Sequence, residues 1–135
     1  MRKDQVVAVV AESHSAPIQK IILLVEDNLI LSKIMRCTIE NCTPHRVIHL
    51  SDGEAILEKI AEHKPDLLIF DYDLPRRNGI ELYDFVHAAE GYEHLPVILI
   101  SAELPEEQIA RRALPSLSKP YKTAVLLQML EMALI

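Results

Sequence analysis

The sequence has few cysteines, no excess of positive charge and no long hydrophobic run. Cys37 and Cys42 are too few, and too close together in a predicted helix, to form a disulfide framework or a metal site. A reducing cytoplasm is therefore the expected location. The formal net charge is −6, from 14 basic and 20 acidic residues, and the basic residues are scattered rather than clustered. Because a nucleic-acid-binding protein usually has a basic patch, we expect no DNA or RNA partner.

The amino-terminal segment contains a short apolar run, Val6 to Ala11. This run is far too short to span a membrane. It follows basic residues as in a signal peptide, but Asp4 precedes it and Glu12 ends it too early for that class of segment. We therefore expect residues 1–19 to form a tail or linker. Residues 20–135 contain no internal repeat, and we expect them to form one domain with one core.

Hydrophobic patterning predicts five strands, each followed by a helix. Continuous apolar runs indicate buried strands, and apolar residues three and four positions apart indicate helices. The strands are predicted at 21–25, 46–50, 66–70, 97–101 and 116–118. The helices are predicted over the pattern from Ile30 to Ile39, from a Ser51–Glu54 capping box to about Glu62, and at about 80–89, 106–113 and 123–134. The connections are short enough to require a parallel sheet, so the fold class is a doubly wound α/β domain.

The stretch from Asp66 to Gly79 places a carboxylate at the end of a predicted central strand. Four apolar residues lead directly into Asp71, and a turn follows. In open α/β sheets, ligands bind at the carboxyl ends of the strands. Taken alone, Asp71 is better explained as a structural carboxylate that caps the loop.

Polar side chains at the ends of other strands favour a functional site. In a parallel sheet the carboxyl ends share one rim, which would bring together Glu26, Asp27, Asp71, Ser101 and Lys119. Each has a separate structural explanation as a helix cap, a helix-terminal charge or a solvated side chain. Clustered carboxylates repel one another, and oxygen ligands suit Mg²⁺. With a cation, a lysine and a hydroxyl available for phosphoryl oxygens, Asp71 remains as the nucleophile that would form an aspartyl phosphate.

These motifs, in this order, resemble the receiver domain of response regulators in two-component phosphorelay systems. The resemblance covers about Lys20 to Ile135. It rests on Val25-Glu26-Asp27-Asn28, on residues 66–82 around Asp71, on Pro96 to Ala102, and on Lys119-Pro120. It implies a flavodoxin-like sheet with strand order 2-1-3-4-5. It also implies a histidine kinase or histidine-phosphotransfer domain as the phosphoryl donor.

The resemblance assigns the metal ligands. It implies that Asp27 and Asp71 bind Mg²⁺ through their side chains and that Asp73 does so through its backbone carbonyl. Glu26 would act mainly through bound water. A receiver catalyses its own phosphorylation, and the sequence leaves open whether this one also dephosphorylates itself. It would not be an enzyme with conventional turnover.

The resemblance also assigns the phosphoryl-binding residues. Ser101 and Lys119 would hold the phosphoryl group, small Ala102 would leave room for it, and the Lys119-Pro120 bond would be cis.

Two features depart from the family pattern. The segment between Ser101 and Lys119 is shorter than usual by roughly one helical turn, so we expect a short fourth helix. Ser116 occupies the position where many relatives have an aromatic that rotates inward on activation. Tyr121 is a nearby aromatic, and we expect it to be a packing residue.

Two other functions fit parts of the sequence. Asp71-Tyr72-Asp73 resembles the Asp-x-Asp motif of haloacid-dehalogenase-type phosphatases, although that motif usually follows the first strand and here it follows the third. A receiver-like interaction module without phosphorylation is the other alternative, but all the pocket residues are present.

The last predicted helix is apolar on more than one face. Its core side would contain Leu126, Leu130, Ala133 and Leu134, while Val125 and Met132 fall on a flank. That flank is either covered by loops or the tail, or it is a homodimer or effector surface. With no effector domain after Ile135 in this sequence, we expect a phosphorelay intermediate or a regulator that docks through its first and last helices.

Overall fold

The computed structural model describes residues 18–135, so the predicted tail lies almost entirely outside this range. Strands and helices alternate along the described chain. The strands are β1 (Ile21–Val25), β2 (Arg46–Leu50), β3 (Leu67–Asp71), β4 (Val97–Ser101) and β5 (Ser116–Ser118). The helices are α1 (Leu29–Cys42), α2 (Ile56–His63), α3 (Gly79–His87), α4 (Glu106–Arg112) and α5 (Thr123–Ala133). Among these residues, no helix is long and apolar enough to cross a membrane.

The five strands form one parallel sheet in the order β2-β1-β3-β4-β5, which confirms the predicted fold class and topology. Every residue of β3 and β4 is buried, as the uninterrupted apolar runs predict. Strand β3 includes Asp71, which pairs with Ile100 of β4. The predicted end of this strand at Phe70 was therefore one residue short, and Asp71 belongs to the sheet itself.

Alternate strand residues point to opposite faces of the sheet and build two apolar clusters. One cluster joins the sheet to α1 and α5 through Met35, Ile39, Leu126 and Leu130. The other joins it to α2, α3 and α4 through residues that include Ile56, Ile60, Leu82, Val86 and partly buried Ile109. Both faces of the sheet are therefore covered, and the polar strand ends are left at the rim.

The prediction of a Ser51–Glu54 capping box for α2 was wrong. Helix α2 begins at Ile56, and its N-cap residue, Ala55, makes no side-chain capping bond. Instead, Asp52 Oδ1 accepts a hydrogen bond from the backbone N–H of Glu54 at 2.9 Å. This local aspartate turn uses the N–H that a capping serine would need, so the chain completes a turn before the helix starts.

The predictions for the last two helices agree with the structure. Helix α4 has only seven residues and none of them is buried. In α5, Leu126 and Leu130 are buried and Ala133 and Leu134 pack against the same cluster, while Val125 and Met132 are exposed.

Candidate functional site

The parallel sheet brings the five predicted rim residues to one edge. Asp71 and Ser101 are the last residues of β3 and β4, and the other three follow β1 and β5. Backbone hydrogen bonds continue the ladder past the strand ends: Glu26 N–H donates to Leu50 O at 3.0 Å, and Lys119 N–H donates to Ser101 O at 2.8 Å. The site residues are therefore held by the sheet rather than by long loops.

Three carboxylates meet at this edge. Glu26, Asp27 and Asp71 each present an oxygen, and these oxygens lie within 4.8 Å of one another. Glu26 and Asp71 are buried, whereas Asp27 is exposed. The side chain of Asp73 is also exposed and does not belong to this group. Its expected ligand atom is a backbone carbonyl, which does not require the side chain to join the cluster.

Lys119 supplies the positive charge at the centre of the cluster. Its Nζ lies 3.0 Å from Asp71 Oδ1 and 3.3 Å from Glu26 Oε1. Burial lowers the pKa of Lys119, but the hydrogen bond to Asp71 and the charges of Asp71 and Glu26 outweigh burial, so the pKa is raised. Lys119 therefore stays charged at neutral pH and bridges the two buried carboxylates.

Glu26 experiences opposing effects. Burial raises the pKa of its carboxyl, and the charge of Asp71 adds to that rise. A hydrogen bond from the Asn28 backbone N–H and the nearby Lys119 ammonium act in the other direction but do not cancel it. A second cation at this point would favour the ionised form of the carboxyl.

The donor set fits a hard divalent cation. The clustered ligand atoms are all carboxylate oxygens, and two of the three carboxylates are buried. Mg²⁺ prefers oxygen ligands and is commonly held by one or two carboxylates together with phosphate oxygens and water. The residues present therefore suit Mg²⁺ better than a metal that prefers nitrogen or sulfur.

The hydroxyl of Ser101 lies at the rim but is engaged by the loop after β4. Ser101 is almost fully buried. Its Oγ donates a hydrogen bond to Glu103 O at 2.8 Å and accepts one from Glu103 N–H at 3.2 Å. The following residue, Ala102, is exposed. The Ser101 hydroxyl is therefore turned toward the backbone atoms of Glu103.

Sequence reasoning missed the capping role of Asn28 and the contact of His49 with the site. Asn28 caps α1, and its Oδ1 accepts hydrogen bonds from the N–H groups of Ile30 and Leu31 at 3.0 Å each. An asparagine just before an apolar helical pattern is a recognisable cap signal that could have identified it. A ring nitrogen of His49 lies 2.7 Å from Glu26 O. No sequence pattern predicts that contact, because it depends on the register between β1 and β2.

The turn after β5 matches two expectations. The Lys119-Pro120 peptide bond is cis, as the resemblance implied. Tyr121 is partly buried against the cluster that contains α1 and α5, so it is a packing residue. Burial raises the pKa of its hydroxyl.

Known proteins resemble this chain in sequence. The response regulator DivK of Brucella anthropi, described as a polar-differentiation response regulator, is 32% identical over 83 residues, which are 62% of this chain and 67% of DivK. DivK of Brucella ovis is 34% identical over the same share of each chain.

Solved structures resemble it in fold. Chemotaxis protein CheY4 of Vibrio cholerae superposes with a TM-score of 0.77 at 22% identity, covering 86% of this chain and 99% of CheY4. The receiver domain of a sensor histidine kinase from Pseudomonas aeruginosa gives a TM-score of 0.74 at 24% identity, covering 87% and 98%. That protein was solved with a magnesium ion coordinated in its active-site cleft.

The sequence model of the response regulator receiver domain matches residues 22–131, which include all five strands except the first residue of β1 and all of the rim residues described above. The phosphatase alternative is therefore not retained. This chain belongs to the response regulator receiver domain family of two-component signalling.

Proposed function

We propose that this receiver accepts a phosphoryl group on Asp71, in a Mg²⁺-dependent transfer from a phosphorylated histidine. The observation that supports this most directly is the contact of 3.0 Å between Lys119 Nζ and Asp71 Oδ1 within a cluster of three carboxylates. A buried carboxylate that is fixed by a lysine and faces a cation site is suited to attack phosphorus. Glu26 also contacts Lys119, at 3.3 Å, and belongs to the same cluster, but Asp71 makes the shorter contact and is itself the last residue of a strand.

In the transfer, an oxygen of Asp71 forms a bond to phosphorus while the bond from phosphorus to the histidine nitrogen of the donor breaks. The nitrogen leaves with the electron pair of that bond. Lys119 is already within reach of Asp71 and can hold one phosphoryl oxygen through a charge-assisted hydrogen bond. Ser101 can hold another oxygen if its hydroxyl turns from Glu103 O, at the loss of one hydrogen bond.

Mg²⁺ would be held by the side chains of Asp27 and Asp71, by the backbone carbonyl of Asp73, and by Glu26 through water. When bound, it would neutralise charge on the phosphoryl oxygens. The magnesium ion in the cleft of the Pseudomonas aeruginosa receiver domain supports this choice of metal.

The histidine donor would approach across the rim. Leu29 and Ile30 lie at the start of α1, just after its N-cap residue Asn28, and they are 66% and 72% exposed. On the other side of the site lies the exposed Pro120. Apolar side chains around a charged centre suit a partner that covers the reaction and excludes water. A helical histidine-phosphotransfer domain or the corresponding domain of a kinase is such a partner.

Intact-mass measurement after incubation with acetyl phosphate and Mg²⁺ tests the acceptor. The parent protein should gain one phosphoryl group, and Asp71→Asn should gain none. Asp73→Asn is the matched control, because its exposed side chain is outside the carboxylate cluster while its backbone carbonyl is retained. It should still be labelled. Labelling of Asp71→Asn at the parent level would refute the assignment.

Onward transfer is the output that we favour over regulation by docking alone. Mixing the phosphorylated protein with histidine-phosphotransfer domains from the source organism should move the phosphoryl group from Asp71 to a histidine. If no histidine-phosphotransfer domain donates a phosphoryl group to Asp71 or accepts one from it, while phosphorylation changes binding to another protein, the chain acts as a docking regulator. Binding that does not depend on phosphorylation would instead identify a receiver-like interaction module.

A further inference from the structure

An apolar groove runs between α1 and α5 and opens onto the acidic cluster. Its volume is about 510 Å³. The walls are mainly apolar and include Leu31, Ile34, Met35, Tyr121 and Leu126, and at its upper end the groove reaches Glu26 and Lys119. A molecule that lies in this groove would therefore also stand beside the proposed route of the histidine donor.

The outer face of α1 extends this apolar surface. Leu29, Ile30, Leu31 and Ile34 are between 43% and 72% exposed. Four large exposed apolar residues within six positions form a contiguous patch, whereas single exposed apolar residues are common on any protein. The patch and the groove share Leu31 and Ile34, so one extended segment can contact both.

The chain itself contains a segment that fits this surface. Residues 6–11 are Val-Val-Ala-Val-Val-Ala, an uncharged and wholly apolar run, and they are followed by the spacer 12–17. At about 3.3 Å per extended residue, six spacer residues span up to roughly 20 Å.

The tail joins the domain at the foot of the same helix. Lys20 N–H donates a hydrogen bond to His45 Nδ1 at 3.0 Å, and Lys20 O accepts one from Arg46 N–H at 3.0 Å. His45 is three residues beyond the end of α1 at Cys42. From Cys42 up to Leu31, α1 rises by roughly 17 Å at 1.5 Å per residue. The spacer can therefore deliver residues 6–11 to the groove without leaving the α1 face.

We propose that residues 6–11 occupy the α1–α5 groove and compete with the histidine donor for the α1 face. The competition rests on the proposed function, whereas the contact itself does not. Tethering raises the local concentration of the segment to the millimolar range, so a weak contact is sufficient. The free energy gained by burying a valine is similar in size to the entropy cost of fixing the backbone of one residue. The bound segment is therefore held marginally, and a docking partner can displace it.

A tryptophan reporter tests the contact, because the sequence contains no tryptophan of its own. In the 135-residue chain with Val9→Trp, tryptophan emission should lie at shorter wavelength than that of a free indole in water. Adding Ile34→Glu, in the groove wall, should return the emission to the solvent-exposed value. Val125→Glu is the matched control: it is exposed on α5 but does not line the groove, and it should leave the shift in place.

Two outcomes would overturn the contact. Solvent-like emission in Val9→Trp alone would show that the segment does not enter an apolar site. A wavelength shift that disappears on dilution would show that the groove of a second copy, rather than that of the same chain, receives it.

Phosphorylation kinetics test the competition. The double variant Val9→Asp and Val10→Asp should accept phosphoryl from a phosphohistidine domain several-fold faster than the parent, while labelling by acetyl phosphate stays unchanged. Equal rates with the histidine donor would refute competition. If neither donor labels Asp71, the proposed function fails, and the fluorescence result still decides whether the segment occupies the groove.

Discussion

At the scale of single residues, Asp71, the proposed phosphoryl acceptor, is positioned by backbone contacts as much as by its charged neighbours. Gly79, the first residue of α3, packs against the end of β3. A Cβ placed on it would lie 2.7 Å from the backbone oxygen of Asp71 and 2.5 Å from Leu99 Cδ1. Its N–H donates a hydrogen bond to Tyr72 O at 2.9 Å. Only a residue without a side chain allows this approach of α3 to the strand end.

We therefore expect Gly79→Ala to destabilise the fold and slow labelling of Asp71. Overpacking against backbone costs about 1–3 kcal/mol, whereas alanine is favoured over glycine in a helix by up to about 1 kcal/mol. A net loss of unfolding free energy would show that the added methyl group clashes with the end of β3. In Gly53→Ala, the control, the new Cβ meets only side-chain atoms of Leu82, so labelling should remain near the parent level. Denaturant unfolding and intact-mass kinetics measure both effects, and unchanged labelling of Gly79→Ala would contradict this role.

At the scale of elements, helix α4 buries little of its surface against the rest of the domain. None of its seven residues is buried, and its N-cap residue makes no side-chain hydrogen bond. Besides the packing of partly buried Ile109, Arg112 supplies a polar connection: its Nε and Nη2 donate to the two carboxylate oxygens of Asp84 in α3, at 2.7 and 2.6 Å. The hydrogen bond from Arg112, together with its charge, lowers the pKa of the Asp84 carboxyl.

Arg112→Gln should loosen α4 while leaving the domain folded. Because Asp84 is half exposed, the loss in unfolding free energy should not exceed about 1 kcal/mol. Hydrogen exchange should show faster opening of α4 amides. The matched control is Arg111→Gln, whose partner Glu107 lies on the same helix, so its loss does not detach α4 from α3.

The lowered pKa of Asp84 determines how the stability difference between the parent and Arg112→Gln depends on pH. The ionised form of Asp84 is favoured in the folded state, so the stabilisation is present above the ordinary aspartate pKa of about 3.9 and is lost as pH falls through the lower folded value. The gap between Arg112→Gln and the parent should close in that acidic range. A gap that persists there would show that Arg112 acts through packing alone.

Some secondary-structure elements could be predicted from the sequence more accurately than others. Strands β1, β3 and β4 were predictable because buried parallel strands have uninterrupted apolar runs, and their shared direction placed Glu26, Asp71 and Ser101 at one rim. The start of α2 was not predictable, because a local turn at Asp52 competes with the serine cap for the Glu54 N–H. The partner of the Ser101 hydroxyl was also unpredictable, since it depends on the path of the loop after β4.

At the scale of the whole molecule, the site concentrates negative charge in a protein that is already acidic. The formal net charge is −6, and three carboxylates share the rim with one ammonium group. Unfolding would separate these groups, so the repulsion is a cost of the folded state alone. A cation that binds only the folded chain should therefore stabilise all of it, because the sheet connects the site to both apolar clusters.

Mg²⁺ should raise the midpoint of thermal unfolding of the full chain. At a free concentration 100 times the dissociation constant, the gain is about 2.7 kcal/mol, and it increases further with concentration. Asp27→Ala removes one carboxylate of the cluster and should reduce the gain sharply at the same Mg²⁺ concentration. Asp73→Ala should keep most of the gain, because its side chain lies outside the cluster and its carbonyl remains. Scanning calorimetry across a Mg²⁺ titration measures the three midpoints. An equal rise in the parent and in Asp27→Ala would mean that the cation binds elsewhere, and the assignment of the rim as the metal site would then be wrong.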